Sequence, residues 1–288
     1  MKNDLPLIII PTELDSDQIF EPHVETMTEG ILNDVELGAA QRVVVDLEVI
    51  AAADLHQRAG MVADMLAIVT GLLDWRYAVK MEKNALAHPF MPWAAGVAAG
   101  IASQTLKIAP QIGEGDPEAL RTLLDLTALS VQLANQLGHD RHQEGTEHYL
   151  AFALENQGVH YASHAECLAP GILLTSALHG QDPAALREAL LKAGVRLDVL
   201  RPVDLQQALN NLPNFVETNG LPHGIAHDID PYSDMVKNAL ATAQLSLETG
   251  GWAVAQPTAP AAAGATSSVP SPEDTEPGPP PAEESNPA

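Results

Sequence analysis

Three short stretches of the chain hold side chains able to bind a cation. Asp64 closes the run Ala59-Gly60-Met61-Val62-Ala63-Asp64, and Asp74-Trp75-Arg76 follows ten residues later. His148 ends Gly145-Thr146-Glu147-His148. His164 stands in Ser163-His164-Ala165-Glu166, which runs on into Leu168-Ala169-Pro170-Gly171. Each group lies at the start of, or inside, an apolar segment with helical spacing, so one carboxylate and two imidazoles can converge between helices of a bundle. An Asp/His/His set with open positions suits catalytic Zn2+ or Fe2+, with water or substrate filling the remaining sites. With eleven histidines in the chain, such a trio also arises by chance. The plain alternative is polar helix ends and internally satisfied histidines.

Composition narrows what these groups can serve. The net charge of −24 repels nucleic acid phosphates and anionic membrane surfaces, so neither is an expected partner. One cysteine, Cys167, rules out an internal disulfide framework and a thiolate zinc cluster; its own expectation is burial as a small apolar residue. The five or six apolar residues after Met1-Lys2-Asn3-Asp4 are too few for a signal peptide, and no apolar run is long enough to span a bilayer. A cytoplasmic location is the expectation.

Aromatic residues make up only 4% of the chain, so the core must be built from Leu, Ala, Val and Ile, which favours helices. Leu5 to Thr12 reads as a short buried strand closed by a proline, and Val43-Val44-Val45-Asp46 as a second strand. Residues 1–50 thus form a strand-containing segment. Residues 51–255 read as a helical metal-binding domain. Within it Leu55 to Glu82 carries apolar residues, including its methionines, at three- and four-residue spacing. Asp116-Pro117 and Asp182-Pro183 each place a capping acceptor before a proline at the first helical position, and the second helix should end near Gly194. Further helices are expected around 93–107, 145–156, 164–179 and 231–247. Residues 256–288, with nine prolines and little to bury, read as a disordered acidic tail. The fold class is mainly α, a helical bundle with short strands at its N-terminal edge.

In their order and neighbours these motifs resemble the glycerol-1-phosphate dehydrogenases over residues 5–200. More loosely they are similar to dehydroquinate synthases and iron-containing alcohol dehydrogenases. The family pattern is a strand ending in Pro-Thr, a segment like Val45-Asp46-Leu47-Glu48-Val49-Ile50, and a helix with a metal-binding Asp followed by Asp-Trp. A Gly-Ser-Glu-His stretch and a His-Gly-Glu stretch follow, matched by Gly145-Thr146-Glu147-His148 and His164-Ala165-Glu166. The resemblance implies the metal-binding C-terminal half of this superfamily, with Asp64, His148 and His164 as ligands of zinc or iron. It also implies hydride transfer from a small alcohol or polyol to NAD(P).

The departures shape the functional expectation. Only 63 residues precede Asp64, and they hold just Gly30, Gly38 and Gly60, too little for the glycine-rich dinucleotide cradle of the family. Gly113-Glu114-Gly115 reads as a loop between helices. Where the family has Ser-x-Asp-Gly, this chain has Asp15-Ser16-Asp17-Gln18 and then Glu21. Asp17 matches the family aspartate, the one residue to which a catalytic role carries over, but the added acidity opposes a phosphorylated substrate. Phe152 stands where the family often has a proton-shuttling histidine. His139 and His142 read as loop residues beside the site; His88, His179, His223 and His227 as solvent-facing or capping; Trp75 and Trp93 as packing residues. The leading expectation is a catalytic half-enzyme acting on a small-molecule or peptide-borne alcohol. It would complete its NAD(P) site with a nucleotide-binding partner chain or as a homo-oligomer. The alternative is a degenerate, non-catalytic relative that kept the bundle as a binding or scaffold protein.

Overall fold

Fifteen of the twenty-one residues in the helix Gly60–Lys80 are buried, Met61, Met65, Trp75 and Asp64 among them. A helix apolar around its whole circumference must sit inside other helices, and this one packs against five of them. The computed structural model describes residues 7–20, 23–28, 31–36 and 40–245. The expected tail over 256–288, Glu21, Gly30 and Gly38 lie outside them. Among the described residues the helices are α1 (Leu47–Ala52), α2 (Gly60–Lys80), α3 (Pro92–Glu114), α4 (Pro117–Leu137), α5 (Thr146–Asn156), α6 (His164–Leu178), α7 (Ala184–Ala193), α8 (Pro202–Thr218) and α9 (Asp234–Thr242). Four short strands precede them. β1 (Ile8–Ile9) pairs in parallel with β4 (Arg42–Val43), and β2 (His23–Thr28) forms an antiparallel hairpin with β3 (Ile31–Glu36). The mainly helical class with short N-terminal strands is what the sequence led us to expect.

Most helix boundaries follow local chemistry. Asp116 caps α4 by accepting from the Ala119 N–H at 2.8 Å, Pro117 occupies the first turn, and Gly138 ends the helix in the left-handed conformation. Ser163 and Glu166 form a reciprocal capping box at the start of α6. That box makes His164 the first helical residue.

Several boundaries differ from expectation. The long helix begins at Gly60 rather than near Leu55, because Asp54 to Arg58 form a turn in which Gln57 N–H bonds to the Asp54 carbonyl. The helix after Asp182 begins one residue late, at Ala184, whose N–H is held by the Asp182 carboxylate. Gly113-Glu114-Gly115 is no loop: Gly113 and Glu114 are the last turn of α3 and Gly115 is its left-handed cap. A Cβ on Gly113 would lie 1.9 Å from the Lys192 carbonyl oxygen, so this glycine serves the close approach of α3 to α7. Trp93 is 50% exposed and Met81 40%, so neither is core; Trp75 and Cys167 are buried as expected. The hairpin and α8 were not anticipated.

Candidate metal centre

Asp64, His148 and His164 come from three helices and meet at one point. Each offers a ligand atom within 4.8 Å of the others. Asp64 lies one turn into α2, His148 in the first turn of α5, and His164 at the start of α6. The N-terminus of α5 is fixed from outside the site: Asp74, fully buried on α2, accepts from the Thr146 N–H at 2.6 Å. The same carboxylate takes the Ile225 N–H at 3.0 Å and His179 Nε2 at 2.8 Å. His179, which caps the end of α6, is thus a partner in a buried network rather than a solvent-facing residue. α6 closes on α5 because Gly171 has no side chain; a Cβ there would meet the Glu147 carbonyl oxygen at 2.5 Å.

Each imidazole is backed by a carboxylate. Glu155 Oε1 stands 2.8 Å from His164 Nδ1, which leaves Nε2 facing Asp64 Oδ1 at 3.7 Å. Glu147 Oε1 stands 3.2 Å from His148 Nδ1 and also accepts from the Gly145 N–H. A carboxylate behind a histidine sets its tautomer and aims the other nitrogen at a metal. Burial, reinforced by His164, pushes His148 down to about 3, so its ring is neutral, the form a ligand requires. Burial and the nearby Asp74 carboxylate push Glu147 up to about 8. Ligand atoms around an ion at about 2.0–2.2 Å stand roughly 3–3.5 Å apart, so the trio needs only to tighten. The donor set fits a divalent zinc or iron ion.

The ligands open into a cleft of about 190 Å3 that Asp15, Asp17, Gln143, Glu144 and Phe152 also line. Among the described residues no Lys or Arg lines it. The loop carrying Asp15 and Asp17 lies against the start of α2, because Leu14 bonds to Gln57 and Met61 and a Cβ on Gly60 would strike the Asp15 carbonyl. Gln143 donates to Asp17 Oδ2 at 3.1 Å. Its own carbonyl oxygen accepts from Ser130, whose hydroxyl also meets His142 Nε2 at 2.9 Å. His142 is therefore buried behind the cleft, while His139 packs edge-on to Trp75. Neither belongs to the convergent trio. His88, half-buried, packs edge-on to His139 and is not solvent-facing. His223 pairs with Asp228 and sits over Tyr77, and His227 accepts from the Gly224 N–H. Glu155 and Gln143 went unnoticed in the sequence. Glu155 was legible there, since it follows His148 by seven residues and so shares its helical face.

No protein-family model matches the chain. Curated proteins do. Residues of this chain are 28% identical, over 189 positions, to a glycerol-1-phosphate dehydrogenase (NAD(P)+) of Hyperthermus butylicus; the match covers 66% of this chain and 53% of that protein. The enzyme of the same name from Methanothrix thermoacetophila is 24% identical over 228 residues, covering 79% of this chain and 60% of its own. The sequence relatives of this chain are glycerol-1-phosphate dehydrogenases. It spans a little over half the length of these relatives. In fold it is similar to the glycerol dehydrogenase of Schizosaccharomyces pombe, with a TM-score of 0.57 at 17% identity over 84% of this chain and 64% of that one. A probable glycerol dehydrogenase from Sinorhizobium meliloti 1021 gives 0.54 at 18% identity over 83% and 68%. The enzymes that the sequence pattern resembles are the ones to which these residues are similar. Among the described residues no helix is long and apolar enough to cross a membrane.

Proposed function

We propose that this chain is the metal-binding half of an NAD(P)-linked dehydrogenase acting on an uncharged alcohol or polyol. Asp64, His148 and His164 hold a zinc or iron ion, and the nicotinamide site is completed by a second polypeptide. The observation that carries this reading is the convergence of the three donors, with Glu155 and Glu147 behind the imidazoles. When bound, the divalent ion supplies Lewis acidity toward a substrate oxygen. Glu155 and Glu147 hold His164 and His148 with one nitrogen free to bind. Phe152, beside both rings, covers them with an apolar wall that excludes water. Asp17, steadied by Gln143, faces the cleft and takes the hydroxyl proton, in place of the family's second histidine. A nicotinamide bound across the cleft would supply the hydride acceptor for the carbon that bears this hydroxyl. Among the described residues the cleft is lined by the carboxyl side chains of Asp15, Asp17 and Glu144 and by no Lys or Arg, which makes it a poor host for a phosphate ester.

Elemental analysis of the purified full chain tests the reading. One equivalent of zinc or iron is expected, and His148→Ala should lose it, because two donors cannot hold the ion well. Undiminished stoichiometry in His148→Ala removes His148 from the ligand set.

A further inference from the structure

Beside the metal cleft lies a second cavity, of about 300 Å3, walled by Glu13, Asp15, His56, Gln57, His160 and Arg196. Asp15 lines both cavities, and Ser163, in the second, directly precedes the ligand His164. The two cavities therefore meet at one wall. That wall is held in place. The Leu14 N–H bonds to the Gln57 carbonyl at 3.0 Å, which fixes Glu13 and Asp15 against the turn that carries His56 and Gln57. Tyr161 also lines the second cavity. Its hydroxyl stands 2.5 Å from Asp204 Oδ2 and accepts from the Arg201 N–H at 3.1 Å, and the Arg201 guanidinium lies 5.2 Å from the ring centre. The ring is thus fixed in position, yet it remains 45% exposed.

The polar groups of this cavity are largely uncommitted. Among the described residues the side chains of Glu13, His56, Gln57 and His160 make no hydrogen bond. Arg196 donates through Nε to Glu166 Oε1, and Glu166 Oε2 accepts from the Ser163 N–H at 2.9 Å. The guanidinium charge is therefore already met by a buried carboxylate, while its terminal N–H groups stay free to donate. An anionic ligand would face Glu13 and Asp15 without a spare cation. A hydroxyl both donates and accepts, and imidazole, amide, guanidinium and carboxylate groups together offer it both kinds of partner. An aromatic ring beside them suits the C–H face of a polyhydroxylated chain. Size points the same way. Ligand pockets usually measure roughly 300–1,000 Å3, so the metal cleft of about 190 Å3 is small by itself and reaches that range only together with its neighbour.

We propose that the cavity between Glu13, His56, His160 and Tyr161 is a subsite for the far end of a long, uncharged polyol whose reacting hydroxyl lies at the metal. The substrate class is then an open-chain sugar alcohol rather than a three-carbon alcohol. This rests on the dehydrogenase reading above and names the substrate of that site. Asp15, on the shared wall, accepts from hydroxyls near the middle of the chain. His56, Gln57 and His160 pair with those beyond it, and Tyr161 covers the carbon skeleton.

The test titrates the zinc-loaded full chain by calorimetry with three probes: glycerol, the hexitol glucitol, and glycerol phosphate. Glucitol should bind at least tenfold more tightly than either of the others. His56→Ala combined with His160→Ala should remove that preference while leaving glycerol and zinc affinity unchanged. Glu13→Ala, on an exposed loop position, should weaken glucitol binding in the same direction; circular dichroism checks that each variant is folded. Equal affinity for glucitol and glycerol, or variants that keep the preference, overturns the proposal. Tighter binding of glycerol phosphate overturns it too, since the cavity then takes an anion. A chain that prefers glucitol, and loses the preference in the variants, yet holds no zinc sinks the metal reading alone. Tight zinc binding without a glucitol preference sinks the subsite alone.

Discussion

Glu155 touches no substrate in the proposed site, yet its removal should be felt at the metal. Its Oε1 stands 2.8 Å from His164 Nδ1, and both side chains are largely buried, at 16% and 19% exposure. Losing the group that orients a metal-bound histidine costs about 10–100-fold in metal affinity, or roughly 1.4–2.7 kcal/mol. Glu155→Gln keeps an acceptor for the Nδ1 proton and should fall near the lower end. Glu155→Ala removes it and should approach the upper end. Folding stability should not follow the same order. Glu155 Oε2 is buried with no hydrogen-bond partner, so the metal-free variants lose the His164 hydrogen bond together with a half-satisfied buried carboxylate and should melt within about 1 kcal/mol of the wild type. Competition for Zn2+ against a chromophoric chelator at neutral pH reads the affinity, and a thermal melt reads the fold. If Glu155→Ala binds zinc within about twofold of wild type, the carboxylate does not orient His164 for a metal and the reasoning fails.

Other expectations follow from the same geometry. Gly171→Ala would place a methyl group 2.5 Å from the Glu147 carbonyl oxygen, pushing α6 from α5. It should cost about 1–3 kcal/mol in urea unfolding and weaken zinc binding as well; a neutral effect on both refutes the close-packing argument. The metal-free protein should be most stable near pH 6.5. His148 and His142 are held at about 3 and about 4, below their ordinary 6.5. The unfolded chain therefore takes up protons first, and stability is lost as pH falls below 6.5. Glu147, held at about 8 against an ordinary 4.5, works the other way: its contribution fades as pH rises from 4.5 through 8. Below 6.5 two imidazoles outweigh one carboxyl, and above it Glu147 acts alone; stability that keeps rising beyond pH 8 contradicts this. Finally, the metal-loaded chain alone should bind NADH weakly or not at all in calorimetry, because among the described residues that line its cleft there is no glycine-rich turn to cradle a pyrophosphate. Micromolar binding by the chain alone would require a nucleotide site elsewhere.

What could be read from the residues was what depends on near neighbours. The cap at Asp116, the stop at Gly194 and the apolar spacing of α2 all act within a turn or two, so sequence order carries them. α8 was also legible, through Leu205, Leu209, Leu212 and Val216 on one face, and escaped notice although its pattern is local. The Asp/His/His trio was open on spacing alone and gained weight from its neighbours, Asp74-Trp75 and the Glu-His element. Other features depended on contacts across the chain. Asp74 looked like part of a motif, but its work is to tie α2 to Thr146, Ile225 and His179, partners 72 to 151 residues away. Gln143 reaches Asp17 across 126 residues. The partial burial of Ile9 and the exposure of Ile8 and Ile10 depend on which face of a parallel pair the body covers. Sequence by itself determined most of the helices, some of their ends and which side chains could bind a cation, because propensity, capping and periodicity are local energies. Only the tertiary structure decided which carboxylates back the imidazoles and which apolar strand face lies bare, because burial and hydrogen bonding between distant segments exist only once the helices have packed.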